Sequence, residues 1–149
     1  MSKSTIYFDR HFGHWAYPVH RWLYQHTGGR IGGHSPMGPM LLLTTTGRKS
    51  GQPRTTPLLY VPDGSDFLVV ASNGGRDQPP AWLLNLRSRP EASVQVGGDR
   101  VEVTAEILAG TDKEAVWSTL MAQYRGWDEY QQLTDREIPA VRLRRSAGA

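Results

Sequence analysis

Hydrophobic and polar residues along this chain fall into three patterns. Phe8, Phe12, Trp15, Val19 and Trp22 recur at spacings of four, three, four and three, which is one stripe of a helix. Pro18 interrupts it, so residues 5–26 are expected to form two short helices or one kinked at Tyr17 and Pro18. Residues 27–39, TGGRIGGHSPMGP, carry no period and read as a Gly/Pro-rich linker. From Met40 onward β-type runs recur, namely MLLLTTT, RTTPLLYV, FLVVAS, ASVQV, RVEVTAEI and IPAVRLR, each ended by Gly, Pro, Asp or Ser. Asp63-Gly64 and Gly97-Gly98-Asp99 read as hairpin turns, and Val101, Val103, Ala105 and Ile107 alternate with polar neighbours as a half-buried strand does. Two helical stretches break the β pattern. One begins near Asp77, with Pro79 and Pro80 in its opening turn and Trp82, Leu83 and Leu86 on one side. The other begins with a capping box, Thr111 to Glu114, and runs through Val116, Trp117, Leu120 and Met121 into an aromatic segment. The expected fold is mainly β (α+β), an antiparallel barrel or sandwich over residues 40–145 with helical insertions, preceded by an arm and linker over residues 1–39.

Composition narrows what such a fold is for. The 149 residues suit one domain with a single core. No apolar run approaches the roughly 20 residues of a spanning helix, and the first residues lack the apolar centre of an export signal. With no cysteine, disulfides, thiolate catalysis and Cys-based metal sites are excluded. Charge is segregated: residues 1–62 hold seven cations and one acid, Asp9, while the remainder holds ten cations and thirteen acids. That asymmetry points to an anionic partner for the N-terminal part, whether phosphate, nucleic acid or an acidic lipid surface. The aromatic arm has two readings, a lid packed on the core or a basic face lying on a membrane.

Residues 44–57 read TTTGRKSGQPRTTP and join two expected strands, so residues 47–52 form a hairpin connection whose glycines are explained by turns with positive φ. A turn does not need three cations. Arg48, Lys49 and Arg54, with the hydroxyls of Ser50, Thr55 and Thr56 and the N–H groups that a Gly-rich turn exposes, compose a site for phosphate or carboxylate. A second constellation runs from a strand end through Ser72, Asn73, Gly74 and Gly75 to the helix start at Pro79, Pro80, Ala81 and Trp82. Its free N–H groups suit the polar edge of a flat heterocycle with Trp82 packed beside it, and an ordinary loop with a capped helix reads equally well. Tyr124, Trp127 and Tyr130, three apart, form either an aromatic wall with phenolic donors or part of the core.

Other chemistries lack their residues. The hairpin is not a Walker A loop, because Arg48 displaces the glycine before Lys49 and a strand follows. No dinucleotide fingerprint follows a strand. The five histidines, His11, His14, His20, His26 and His34, sit in the arm and linker without a nearby carboxylate cluster, which disfavours a metal site. There is no nucleophile elbow for a serine hydrolase.

In order along the chain, LLLTTTGRKSGQPR, VVASNGG, PAWLLNL and YQQLTDREIP resemble the deazaflavin-dependent nitroreductases that use coenzyme F420, over residues 40–142. The resemblance implies a split β-barrel of the pyridoxamine-phosphate-oxidase, FMN-binding type, with the deazaflavin in a cleft and its phosphate and glutamate tail reaching the basic hairpin. It places Arg48, Lys49 and Arg54, with Ser50 and Thr56 beside them, at the phosphate, and Pro57 along the cofactor's path. Ala71, Ser72 and Asn73 would face the ring, with Gly74 in the same loop and Trp82 and Asn85 nearby, and Tyr124 and Tyr130 would line the substrate pocket. Two positions depart from the nitroimidazole-reducing pattern, Trp127 and Leu59 each standing where that pattern has tyrosine.

The expected reaction is hydride transfer from reduced coenzyme F420 to an electron-poor small molecule, a quinone, an enone or a nitroaromatic. Ser72, Tyr124 or Tyr130 would donate to the charge appearing on the acceptor, and a water could serve equally well. FMN on the same barrel is the alternative cofactor, and a non-enzymatic cofactor- or nucleic-acid-binding barrel the alternative function. Nucleic acid is not the expected partner, because the cations cluster at one turn instead of tracking a groove. The cytoplasm is the expected compartment, with the arm a candidate for peripheral contact with the inner face of the cell membrane.

Overall fold

The computed structural model describes Arg21, Tyr24, Gln25, His34, Ser35 and residues 37–146. Of the expected arm helices over residues 5–26 only Arg21, Tyr24 and Gln25 are described, and these three are helical; Phe8, Phe12, Trp15, Val19 and Trp22 lie outside the described residues, as does most of the linker. The strands are β1 (His34–Ser35), β2 (Gly38–Thr46), β3 (Pro53–Leu59), β4 (Val61–Asp63), β5 (Asp66–Val70), β6 (Glu91–Val96), β7 (Asp99–Leu108) and β8 (Ala140–Arg145). Three α-helices interrupt them, α1 (Ala81–Ser88), α2 (Gly110–Gln123) and α3 (Gly126–Gln131), and a 3₁₀ turn spans Asn73–Gly75.

Every strand pairing is antiparallel. The sheet runs β3-β2-β6-β7-β8-β5-β4, with β1 paired to the start of β2. β3 and β4 are therefore at opposite edges, yet only Tyr60 separates them in the chain. The sheet must curl until its edges approach, which makes it a split barrel, and at the end of β3 Tyr60 N extends the β2–β3 ladder by donating to Pro39 O at 3.2 Å. All six expected β runs form, RTTPLLYV being broken at Tyr60 into β3 and β4.

Period-two alternation builds two cores from the same strands. Leu41, Leu43, Phe67, Val69, Val94, Val101, Val103, Val141 and Leu143 face one side, where Trp82, Leu83 and Leu86 of α1 close the packing. Leu68, Val70, Leu108 and Ala140 face the other, against Val116 and Leu120 of α2 and Trp127 and Tyr130 of α3. Each fully buried leucine or valine contributes about 1.5–3 kcal/mol, so both faces hold the sheet in register.

Four expectations are corrected. The linker is not featureless: β1 lies within it and β2 begins at Gly38, ahead of Met40, because Ser35 Oγ donates to Gly38 O at 3.0 Å and accepts from Met37 N at 3.2 Å, closing a tight turn. The first helix starts at Ala81, not near Asp77, because Pro79 and Pro80 hold the residues before them extended and Pro80 is the N-cap. The capping box does not form: Ala109 is the N-cap, with no side-chain bond, and Thr111 lies inside the first turn. Gly110, at φ 56°, turns the chain, and its N–H donates to Glu137 Oε1 at 2.9 Å, so a distant carboxylate serves the helix start. Within the basic hairpin only Gly51 has positive φ, at 70°, whereas Gly47 is required for space, since a Cβ there would meet Ser50 Oγ at 2.5 Å and Gln52 O at 3.2 Å.

Candidate functional site

A cleft of about 470 Å³ opens between the second half of β3, the loop after β5, the start of α1 and the aromatic junction of α2 with α3. Its floor and walls include Thr56, Pro57, Leu58 and Leu59 from β3, Ser72, Asn73 and Gly74 from the loop, and Trp82 from α1. Tyr124, Trp127 and Tyr130 close the far side. These three rings are packed edge to face, Tyr124 against Trp127 at 5.2 Å and against Tyr130 at 6.2 Å, and the two phenol oxygens are hydrogen-bonded at 3.0 Å. Core packing and cleft lining, which the sequence presents as alternatives, are both true of them: all three are at least nine-tenths buried and border the cavity.

The loop is built for exposed N–H groups. Asn73, Gly74 and Gly75 adopt positive φ in succession, at 48°, 64° and 78°. Asparagine tolerates this region, and Asn73 Nδ2 fixes it by donating to Gln78 O at 2.9 Å. Gly75 has no substitute, because a Cβ there would lie 2.8 Å from Tyr130 O. Gly75 N donates to Ser72 O and Arg76 N to Asn73 O, while the N–H groups of Asn73 and Gly74 have no protein acceptor among the described residues.

A second concavity, of about 480 Å³, lies at the β2–β3 hairpin and is lined by Gly47, Arg48, Lys49, Ser50, Ser88 and Arg89 among others. The hairpin is self-tied: Gly47 N donates to Gln52 O and Gly51 N to Gly47 O, both at 2.8 Å. Among the described residues no carboxylate pairs with Arg48, Lys49, Arg54 or Arg89. Arg54 is exposed, with its guanidinium 3.5 Å from Ser50 Oγ. The two concavities are connected by strand geometry. Arg54, Thr56 and Leu58 alternate onto one face of β3, opposite Thr45, Leu43 and Leu41 of β2, so a ligand in the cleft has a straight path along β3 to the cations.

Three expected site residues, Asn85, Ala71 and Arg54, line neither concavity. Asn85 is 4% exposed, and its amide accepts from Arg48 N and donates to Thr45 Oγ1, both at 3.0 Å, so it clamps the hairpin to α1. Ala71 is fully buried, with its N–H bonded to Pro139 O. The structure gathers Thr56, Pro57, Ser72, Asn73, Gly74, Trp82, Tyr124 and Tyr130 at the cleft, and Arg48, Lys49 and Ser50 at the hairpin concavity, with Arg54 between them.

Sequence reasoning missed Arg136, Arg89 and Tyr24. Arg136 donates from Nε to Arg76 O at 2.9 Å and from Nη2 to Ala71 O at 3.2 Å and Ser72 O at 2.9 Å, gripping both ends of the cleft loop. Burial lowers its pKa, helped by repulsion from Arg87 and opposed by Asp77, but a guanidinium remains charged. Arg89 reaches the hairpin from the end of α1. Tyr24 is fully buried; its hydroxyl lies 3.1 Å from Met40 O and from Gln95 O and accepts from Gly97 N at 2.9 Å, and burial raises its pKa. None of these contacts leaves a local pattern, since their partners are 60 or more residues away except Met40, which is 16 away, and the adjoining hairpin residues of Arg89.

A split barrel whose apolar cleft leads along one strand to unpaired cations defines a class of protein that holds an anionic, ring-bearing small molecule. The chain belongs to the F420H(2)-dependent quinone reductase family, whose model it matches over residues 16–144. It is 40% identical over 141 residues to an F420H(2)-dependent quinone reductase of Mycobacterium tuberculosis, covering 92% of this chain and 95% of that protein. Among solved structures it is similar to an F420-H2 dependent reductase, at a TM-score of 0.65 and 39% identity over 70% of this chain and 93% of that one. A Listeria innocua protein described as a pyridoxamine 5'-phosphate oxidase shares the fold alone, at a TM-score of 0.50 and 12% identity over 72% of this chain and 83% of that one. Family membership makes the chain an oxidoreductase with coenzyme F420 as its cofactor, and FMN is not needed. The site residues fit that group: Asn73 and Gly74, whose N–H groups have no protein acceptor among the described residues, border a cavity of ring size, and cations without a carboxylate partner among the described residues lie along the strand from it.

Proposed function

We propose that this chain reduces a quinone, with the ring of the cofactor and the acceptor sharing the cleft and the cofactor's phosphate held at the basic hairpin. The observation that carries this reading is the cleft's composition, one wall offering N–H donors from residues 72–74 and the facing wall offering Tyr124, Trp127 and Tyr130. When bound, the reduced cofactor supplies the hydride. The protein's share is placement and charge. Arg48, Lys49 and Arg54, with Ser50, retain the phosphate, and Thr56 and Pro57 guide the chain of the cofactor along β3. Asn73 and Gly74 donate to the polar edge of the ring, Trp82 packs beside it, and the Tyr124–Tyr130 hydroxyl pair or Ser72 donates to the oxygen that gains negative charge on the acceptor.

Leu59 and Trp127 both line the cleft, which makes its acceptor side more apolar and favours a flat quinone over a nitroimidazole. Tyr24 and Arg21, whose Nη1 donates to Thr55 O at 3.1 Å, tie the end of the arm to the barrel beside β3, which supports the lid reading of the arm. We place the protein in the cytoplasm, at the inner face of the membrane when it meets a lipid-soluble quinone. Among the described residues no helix is long and apolar enough to cross a membrane.

The test is a fluorescence titration of purified protein with oxidised F420, FMN and single-stranded oligonucleotide, followed by turnover of reduced F420 with a naphthoquinone, an enone and a nitroimidazole. F420 is expected to bind alone among the three, with the quinone turned over fastest. Tight FMN or oligonucleotide binding without F420 binding, or preferred turnover of the nitroimidazole, overturns the proposal.

A further inference from the structure

Arg136 has a job that the cleft lining does not reveal, because it never reaches the cavity. Its guanidinium grips the carbonyls of Ala71, Ser72 and Arg76, and the loop they belong to is also pinned from outside by Thr134 Oγ1 donating to Asp77 Oδ1 at 2.8 Å and by the close approach of Gly75 to Tyr130 O. The Ser72 carbonyl takes two donors at once, Arg136 Nη2 and Gly75 N, each at 2.9 Å.

That carbonyl shares a peptide unit with the N–H of Asn73. Among the described residues no peptide is cis, so C=O and N–H lie in one plane and point in opposite directions from the peptide bond. A cation on the oxygen draws electron density toward itself and leaves the N–H on the other side a stronger donor. Asn73 borders the cleft, and its N–H has no protein acceptor among the described residues. We infer that Arg136 is a positioning residue that acts through the Ser72–Asn73 peptide, polarising the Asn73 N–H toward the ring so that the protein holds the reduced, electron-rich cofactor in preference to the oxidised one. This rests on the ring lying in the cleft as proposed above.

A hydrogen bond to a charge-bearing acceptor is stronger than one to a neutral acceptor, so losing the polarisation weakens the reduced form more. The experiment is an anaerobic fluorescence titration of wild type, Arg136→Lys and Arg136→Met with oxidised and with reduced F420, together with hydrogen exchange of residues 72–76 in the ligand-free proteins. In Arg136→Met the preference for the reduced form is expected to fall about tenfold, the scale of one charge-assisted bond. Arg136→Lys, keeping the charge without the fork, is expected to recover part of it. Equal loss of both forms, or an unchanged preference, overturns the inference even where hydrogen exchange in the loop quickens. Should Arg136→Met fail to fold, Arg136→Lys decides: a fall of about threefold in preference supports the inference and a wild-type value defeats it. Absence of F420 binding to the wild type would defeat the proposed function itself, and with it this inference, and is read separately from the variants.

Discussion

Two groups of arginines on this barrel look alike in composition and are opposite in condition. On β8, Arg142 Nε pairs with Asp63 Oδ2 at 2.9 Å and its Nη1 with Glu106 Oε1 at 3.5 Å, and Arg144 pairs with the other oxygen of Glu106. Glu106 and Arg142 are direct cross-strand partners, so the sheet's own register supplies the pairing. At the β2–β3 hairpin, Arg48, Lys49 and Arg54, with Arg89 from α1, have no carboxylate among the described residues. Like charges crowded at one tip repel each other and contribute nothing to folding that a neutral turn would not. Cations that the fold pairs serve the fold, and cations that it gathers and leaves unpaired are available to a ligand.

The largest effect expected from this contrast is on affinity. Lys49→Ala with Arg54→Ala removes two charge-assisted contacts to a phosphate, and F420 affinity is expected to fall by about two orders of magnitude. The remaining binding should depend less on ionic strength, and the thermal midpoint should stay where it is, because neither side chain is buried or paired with a carboxylate among the described residues. Titration at low and high salt beside thermal unfolding gives both readings. Retained affinity would mean that the unpaired cluster is not the phosphate site.

Asn85 sharpens the comparison because it belongs to the fold and to the ligand site at once. Its buried amide spans from Thr45 Oγ1 to Arg48 N, the first residue of the cationic tip. Asn85→Leu should cost about 1–3 kcal/mol of stability by leaving those partners unsatisfied, and several-fold in F420 affinity by releasing the tip. Urea unfolding and titration of the same variant check the pair. A stability loss with intact affinity would show that the hairpin's internal bonds, from Gly47 to Gln52 and Gly51 to Gly47, hold the tip by themselves.

The same division marks what could be read from the chain. Strand runs, hairpins and the cationic turn are local patterns, and residues 44–57 present their alternation, glycines and charge within one glance at the sequence. Both insertions were legible as helices through Trp82, Leu83 and Leu86 and through Val116 and Leu120, but not their exact starts, because Gly110 is served by Glu137, a carboxylate 27 positions away. Arg136 stood inside a quoted motif without a role, since its carbonyl partners are brought to it only when β8 pairs with β5. Asn85 was legible as a residue near the site and not as a clamp, since nothing local says that an amide faces the turn of a hairpin 40 residues earlier. The cofactor's identity came from ordered motifs, because an unpaired cationic turn specifies an anion and not which one.

The smallest effect is expected at the paired cluster. Glu106→Gln removes one charge from a network whose members are partly exposed, the side chains of Arg142, Glu106 and Arg144 being 22%, 43% and 57% accessible. Arg142 keeps Asp63, so the stability loss should stay below about 1 kcal/mol and shrink further in high salt. F420 affinity should not change. The substitution also makes the chain more positive by one charge, which gives the null result its meaning. If affinity rose in Glu106→Gln at low salt and the rise vanished at high salt, the hairpin would be drawing its ligand through the field of the whole protein, and the distinction between paired and unpaired arginines would be one of degree. If affinity held at both salt concentrations, binding is local to the cations that the fold leaves without partners.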